Sequence, residues 1–145
     1  VIFVCLNGAN VENANVPLRM LVARLVWHAA PGRVALVTDA ISAAGAGDGS
    51  YTLAGVDFDV EDGVPRRADR VLAGSTVPMM EAVRNLVALE ALVDAALAAA
   101  TEVPARIAGR PDLGTLQPGA RADVVVLDDS LEIVRVLVGG NDATG

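Results

Sequence analysis

The chain has 145 residues and 14.8 kDa, 53% hydrophobic and 20% charged, which is enough apolar material for one compact core and excludes a disordered chain. Its 11 Lys and Arg are scattered among 18 Asp and Glu, for a net charge of −7, which argues against binding nucleic acid through phosphate neutralisation. One cysteine, Cys5, and one histidine, His28, exclude an internal disulfide and any two-histidine or multi-thiolate zinc site made by this chain alone.

Aromatic residues make up only 3%, so the core has to be built from Val, Leu, Ile and Ala, as in buried strands covered by helices. The longest apolar stretches, 21–30 and 83–97, are interrupted by Arg, His, Glu or Asp, and no basic, apolar, small-residue signal segment opens the chain. The expectation is no membrane association and a reduced, cytoplasmic setting. Because Val1 already lies in an apolar run, the chain is also expected to be a fragment lacking its N-terminal part.

Residues 1–6 form a short continuous apolar run closed by Asn7-Gly8, the pattern of a strand buried on both faces and followed by a turn. A helix is expected next, with Pro17 in its first turn, Leu18, Leu21, Val22, Leu25 and Val26 at helical spacing, and Pro31-Gly32 as its stop. Val34, Ala35, Leu36 and Val37 make a second buried strand that ends in Thr38-Asp39, completing a βαβ unit with a parallel pair. The small-residue stretch 43–49 is either a loop that lets backbone approach a ligand or a flexible connection. Short alternating segments at 51–53, 56–60 and from Val64 onward, separated by Ala54-Gly55 and Asp62-Gly63, predict a β-hairpin insertion at about 50–70.

From Pro78 the period is helical, with Met80, Val83, Leu86 and Val87 on one stripe. A second helix is expected over 92–100, followed by Thr101 and Pro104, its alanines allowing close packing. The runs 122–127 and 133–138 are β-branched and joined by Asp128-Asp129-Ser130, which predicts a closing antiparallel hairpin.

Asp39 is the most pointed chemical feature: a carboxylate directly after a buried parallel strand, where α/β folds bind ligands. It can serve as a general base, or it can cap the following segment as an N-cap or Asx turn, and its position alone leaves both open. His28 lies in the helix before Pro31, at the far end from Asp39, and reads as a surface or half-buried helix residue. Cys5 reads as a core residue of its strand.

Several segments in order carry a family pattern: Leu36-Val37-Thr38-Asp39-Ala40-Ile41, Ala43-Ala44-Gly45, Leu72-Ala73-Gly74-Ser75, Glu81-Ala82-Val83-Arg84-Asn85-Leu86, Pro104-Ala105-Arg106, Gly114-Thr115-Leu116 with Pro118-Gly119, and Ala122-Asp123-Val124-Val125-Val126. Together they resemble the C-terminal part of the N-acetylglucosamine-6-phosphate deacetylases, which are metal-dependent amidohydrolases. The closing 114–128 pattern is shared across that superfamily, whereas the three segments around Asp39, Gly74 and Arg84 in series point to the deacetylases.

The resemblance implies an α/β fold: the C-terminal part of a (β/α)8 amidohydrolase barrel plus part of a small β-sandwich domain, with the end of the barrel over 1–110 and sandwich strands over 111–145. It implies deacetylation of N-acetylglucosamine 6-phosphate to glucosamine 6-phosphate and acetate in amino-sugar catabolism. Asp39 matches the family's catalytic aspartate, which takes a proton from the attacking metal-activated water and passes it to the departing amine. Leu72, Ala73 and Gly74 match a segment that lies against the sugar, with loop packing as the other reading.

The chain departs from the family where the pattern Asp-Gly-any-His is expected after the seventh barrel strand. Asn7, Gly8, Ala9 and Asn10 stand there as substrate-binding positions, and Asn10 can hydrogen-bond a sugar but cannot titrate near neutral pH. The implied divalent metal, zinc or similar, is held in the family by a Glu and two His of earlier strands, so its ligands are absent from this chain. The isolated chain is then expected to have negligible activity. The implied partner is a small-molecule amino-sugar phosphate, and a homodimer is an assembly common in the family. Another amidohydrolase substrate and a non-catalytic remnant remain open.

Overall fold

The protein is described by a computed structural model over residues 2–5 and 16–144. It opens with strand β1 (Ile2–Cys5), helix α1 (Val16–Ala29) and strand β2 (Val34–Val37). The two strands pair in parallel, Ile2 opposite Val34 and Cys5 opposite Val37, as the two apolar runs predict. Val34, Ala35 and Leu36 are buried in succession. Since successive strand residues point to opposite faces, β2 is covered on both sides.

Helix α1 departs from the expected apolar stripe. Leu21, Val22 and Leu25 are exposed at 52%, 50% and 61%, while Ala23 is buried and Met20 and Trp27 pack on the core beside it. The helix is apolar on two faces, and the described residues cover only the one carrying Ala23, where a small side chain allows close packing on the core. His28 is exposed in the last turn, as expected of a surface helix residue.

The segment expected to be a hairpin is a three-stranded antiparallel sheet of β3 (Gly49–Leu53), β4 (Val56–Glu61) and β5 (Val64–Arg67). Both its turns put two successive residues at positive φ, Ala54 at 51° and Gly55 at 81°, then Asp62 at 51° and Gly63 at 72°. That is the two-residue hairpin geometry the Asp-Gly pair signals. Phe58 and Val60 point inward on β4 while Asp57, Asp59 and Glu61 face solvent. Ser50 and Thr52 donate hydroxyl hydrogen bonds across the sheet to Asp59 and Asp57, both at 2.6 Å.

Helices α2 (Met79–Ala88), α3 (Val93–Ala100) and α4 (Glu102–Ile107) follow and pack on β2. Ala82, Val83 and Leu86 of α2 and Ala96 and Ala99 of α3 enclose Leu36 in the main core, where the alanines give the close helix packing expected of them. Helix α4 is not among the elements expected from the sequence, where Thr101 and Pro104 only follow the second helix. Pro104 is the third residue of α4, within the first turn, where a backbone N–H has no intrahelical partner to lose.

The chain closes with an antiparallel sheet of β6 (Val124–Leu127), β7 (Ile133–Val138) and β8 (Asn141–Asp142), one short strand more than the expected hairpin. Asp128 organises the acidic turn, its carboxylate accepting from the backbone N–H groups of Ser130 and Glu132, both at 2.9 Å. Arg84 of α2 donates to the Leu131 carbonyl at 2.9 Å and to Glu132 at 3.0 Å, tying that turn to the helix layer. Among the described residues no helix is long and apolar enough to cross a membrane.

Two exposed carboxyls here carry a pH prediction. Two hydrogen bonds from the Arg110 guanidinium, at 2.8 and 2.6 Å, hold Asp112 below its ordinary value of 3.8. Asp142 is lowered by the backbone N–H of Thr144, and further by the Thr144 hydroxyl and Arg135. A carboxyl whose pKa is lower in the folded chain stabilises above the unfolded pKa of about 3.9, and that contribution is lost as pH falls through the folded value. Carbon-detected NMR titration is expected to place both midpoints below the ordinary value, and Arg110→Ala to raise only Asp112 back toward it.

Candidate active site

The chain leaves β2 at Val37 and turns sharply. Asp39 lies two residues on, exposed, with φ at +53°, the left-handed region that Asp tolerates better than most side chains. Five other described non-glycine residues share a positive φ, so the partners of Asp39 distinguish it rather than its backbone angle.

Those partners are all main-chain. The Ser75 N–H donates to the Asp39 carbonyl at 2.9 Å, the Ile41 N–H donates to the Ser75 carbonyl at 3.0 Å, and Ala40 and Ser75 form a parallel bridge. The local turn is closed by Thr38, whose hydroxyl accepts from the Ala40 N–H at 3.3 Å. The Asp39 carboxylate takes no hydrogen bond or ion pair from the described residues. The capping role that position alone allowed for Asp39 is thus filled by Thr38, and the carboxylate is left facing outward.

The structure brings Leu72, Ala73 and Gly74 to the same place. Leu72 bridges to Arg66, and the Ala73 N–H donates to the Pro65 carbonyl at 3.1 Å, so the segment runs on from β5. Gly74, at φ +135°, then passes directly under the turn: a Cβ there would lie 2.5 Å from the Ile41 Cγ2 and 3.0 Å from the Asp39 carbonyl oxygen. The absence of a side chain is what allows the two segments to pair.

The small-residue stretch that follows Asp39 is folded onto the three-stranded sheet. Ala43 is buried against Phe58 and Val60, with Ile41, Tyr51 and Ala73 around them. Tyr51 stacks on Phe58 with centroids 5.7 Å apart and donates its hydroxyl to the Gly47 carbonyl at 2.8 Å. The Asp48 carboxylate accepts from the N–H groups of Asp62 and Gly63, both at 2.9 Å. Asp48 and Ser75 both lie in segments that the sequence singles out, but an acid in a glycine-rich loop and a serine before Val77-Pro78 offer only generic turn signals, so their hydrogen-bonding roles are not legible there.

Asn7, Gly8, Ala9 and Asn10 lie outside the described residues. Among the described residues no three His, Cys, Asp or Glu side chains converge as a metal site. The donors among the described residues therefore do not by themselves fit the divalent metal that the resemblance implies.

Residues 12–142 match the amidohydrolase family. The chain belongs to that family. Within this amidohydrolase chain, 114 residues are 44% identical to "N-acetylgalactosamine-6-phosphate deacetylase" of Escherichia coli O157:H7, covering 77% of this chain and 30% of that protein. Human N-acetylglucosamine-6-phosphate deacetylase is 40% identical over 121 residues, covering 81% and 29%. A shorter Escherichia coli K12 relative, again 44% identical over 114 residues, is covered over 68% of its length.

Among solved structures, N-acetyl-D-glucosamine-6-phosphate deacetylase of Mycobacterium smegmatis, an aspartate-to-alanine mutant in complex with N-acetyl-D-glucosamine-6-phosphate, superposes with a TM-score of 0.80 at 37% identity. The match covers 88% of the amidohydrolase chain and 35% of that structure's. The chain thus spans about a third of the length of the full-sized relatives it matches. The likeness bears out the α/β class and the relation to barrel-plus-sandwich deacetylases.

Proposed function

We propose that the protein carrying this chain deacetylates N-acetylglucosamine 6-phosphate, with Asp39 as the proton-transferring carboxylate. The observation that carries the reading is the state of Asp39: in an amidohydrolase chain, an exposed carboxylate just after a parallel strand, held through its backbone and taking no side-chain hydrogen bond from the described residues. A carboxylate so placed can accept a proton from water as the water oxygen bonds to the acetamide carbonyl carbon. When the carbon–nitrogen bond breaks, the same proton goes to the amine, leaving acetate and the amino-sugar phosphate.

Leu72, Ala73 and Gly74 would present main-chain groups to the sugar beside Asp39, and Asn7, Gly8, Ala9 and Asn10, which follow β1 in sequence, would contribute further contacts. In domain terms, 1–110 would be the closing part of the barrel, with the three-stranded sheet as an insertion, and 111–145 would be strands of the small sandwich. The setting proposed is cytoplasmic amino-sugar catabolism.

The 44% identity to a galactosamine-named relative favours the 4-epimer as a second reading. Acetate release from both N-acetylhexosamine 6-phosphates, measured with added divalent metal on the protein that carries this chain, separates the two. A higher kcat/KM on the glucosamine epimer is expected. A preference for the galactosamine epimer replaces the first reading with the second, and inactivity of folded, metal-supplemented protein on both overturns deacetylation of these sugars.

A further inference from the structure

Ser75 is the single polar residue buried among the described residues, at 1% exposure. It belongs neither to the strand that precedes Asp39 nor to the three residues matched to the sugar, yet it bonds the Asp39 turn through both its N–H and its carbonyl. Its N–H donates to the Asp39 carbonyl at 2.9 Å, and its carbonyl accepts from the Ile41 N–H at 3.0 Å. Its own orientation is set elsewhere: the Ser75 hydroxyl oxygen accepts from the Val77 N–H at 3.0 Å, just ahead of Pro78, the residue that starts α2.

Pro78 sits at φ −65° and ψ 154°, has no N–H, and makes no side-chain cap. The approach to α2 is therefore held by the serine hydroxyl instead. The Val77 amide is half-buried, and without its acceptor it seeks another geometry, because an amide shielded from water is unfavourable when unpaired. Movement of the 75–77 turn would then be passed through the two Ser75 backbone hydrogen bonds to the peptide groups on either side of Ala40, the first of which carries the Asp39 carbonyl.

We propose that Ser75 is a positioning residue for Asp39, its hydroxyl locking the 75–77 turn so that the Ser75 backbone holds the Asp39 turn in register with α2. The proposal rests on the reading of Asp39 as the proton-transferring group for its kinetic consequence, but not for its structural one. Thr76 provides the comparison: its hydroxyl donates to the Gly63 carbonyl at 2.5 Å, on the β4–β5 turn, and has no bond to the Asp39 turn.

The test uses the protein that carries this chain, with Ser75→Ala, Ser75→Cys and Thr76→Val. The cysteine fills the serine's site but offers a poor acceptor, so it stands in should the alanine variant fail to fold. Both Ser75 variants are expected to lower kcat for acetate release about tenfold with KM within about twofold, a loss of transition-state rather than ground-state binding. Amide hydrogen exchange at position 75 and Ile41 is expected to accelerate about tenfold in both, and Thr76→Val to leave both readouts unchanged.

Unchanged exchange at those two amides in the Ser75 variants overturns the proposal, as does an equal loss of kcat in Thr76→Val. If the parent protein releases no acetate, the functional reading fails by itself, and the exchange measurement still decides whether Ser75 holds the turn.

Discussion

Asp39→Asn is expected to lower kcat for acetate release about 10²–10⁴-fold, the range associated with removing a positioned general acid or base. Asparagine is the informative replacement for a backbone reason. Asp39 sits at φ +53°, and Asn shares with Asp a tolerance of that left-handed region, whereas a branched or bulky residue would add strain to the loss of charge. The carboxylate has no intrachain partner among the described residues, and the Thr38 hydroxyl rather than Asp39 closes the turn, so little folding stability depends on the charge. A change within about 0.5 kcal/mol is expected, as for other exposed sites. Steady-state kinetics beside a thermal melt check both halves. A variant that keeps more than about a tenth of the parent kcat assigns proton transfer to another group.

Gly74→Ala carries the second large effect, and it acts through shape. The added methyl would sit 2.5 Å from the Ile41 Cγ2 and 3.0 Å from the Asp39 carbonyl oxygen, at a φ of +135° that alanine rarely adopts. Overpacking costs about 1–3 kcal/mol and a strained backbone about the same, so a loss of roughly 2–6 kcal/mol is expected where the turn cannot yield. Where it does yield, the Asp39 peptide must move away from Ser75, and a displacement near 1 Å at a catalytic group lowers rates about 10²-fold. The two variants are thus distinguishable: Asp39→Asn loses activity with stability intact, and Gly74→Ala loses both. A Gly74→Ala protein with parental melting temperature and kcat would refute the close approach of the two segments.

This coupling gives the small sheet a structural task. Ala43 is seated on Phe58 and Val60, Asp48 accepts from the Asp62 and Gly63 amides, and the Ala73 N–H donates to the Pro65 carbonyl of β5. The loop after Asp39 and the segment after β5 are both fastened to one sheet, which keeps the aspartate and Gly74 together. The stretch that reads in sequence as an insertion is the buttress of the candidate site.

What the amino-acid sequence determined by itself is local. The apolar runs at 34–37 and 133–138, the Asp-Gly turn at Asp62, the stripe through Val83 and Leu86, and the carboxylate placed after a buried strand all follow from period, turn chemistry and burial within a few residues. Family membership was also legible, because several short segments recur in one order.

Tertiary structure alone decided the rest. It turned Leu21, Val22 and Leu25 outward and Ala23 inward, since a helix with two apolar faces does not say which one its sheet will cover. It admitted Pro104 into a helix, because at the first turn its missing N–H costs nothing. It also settled what holds Asp39. The bonds that do so come from Ser75, 36 residues further on, and pairing between main-chain groups so far apart leaves no mark in side-chain pattern. Every residue brings the same N–H and C=O to such a contact, and only the folded path of the backbone selects which of them meet.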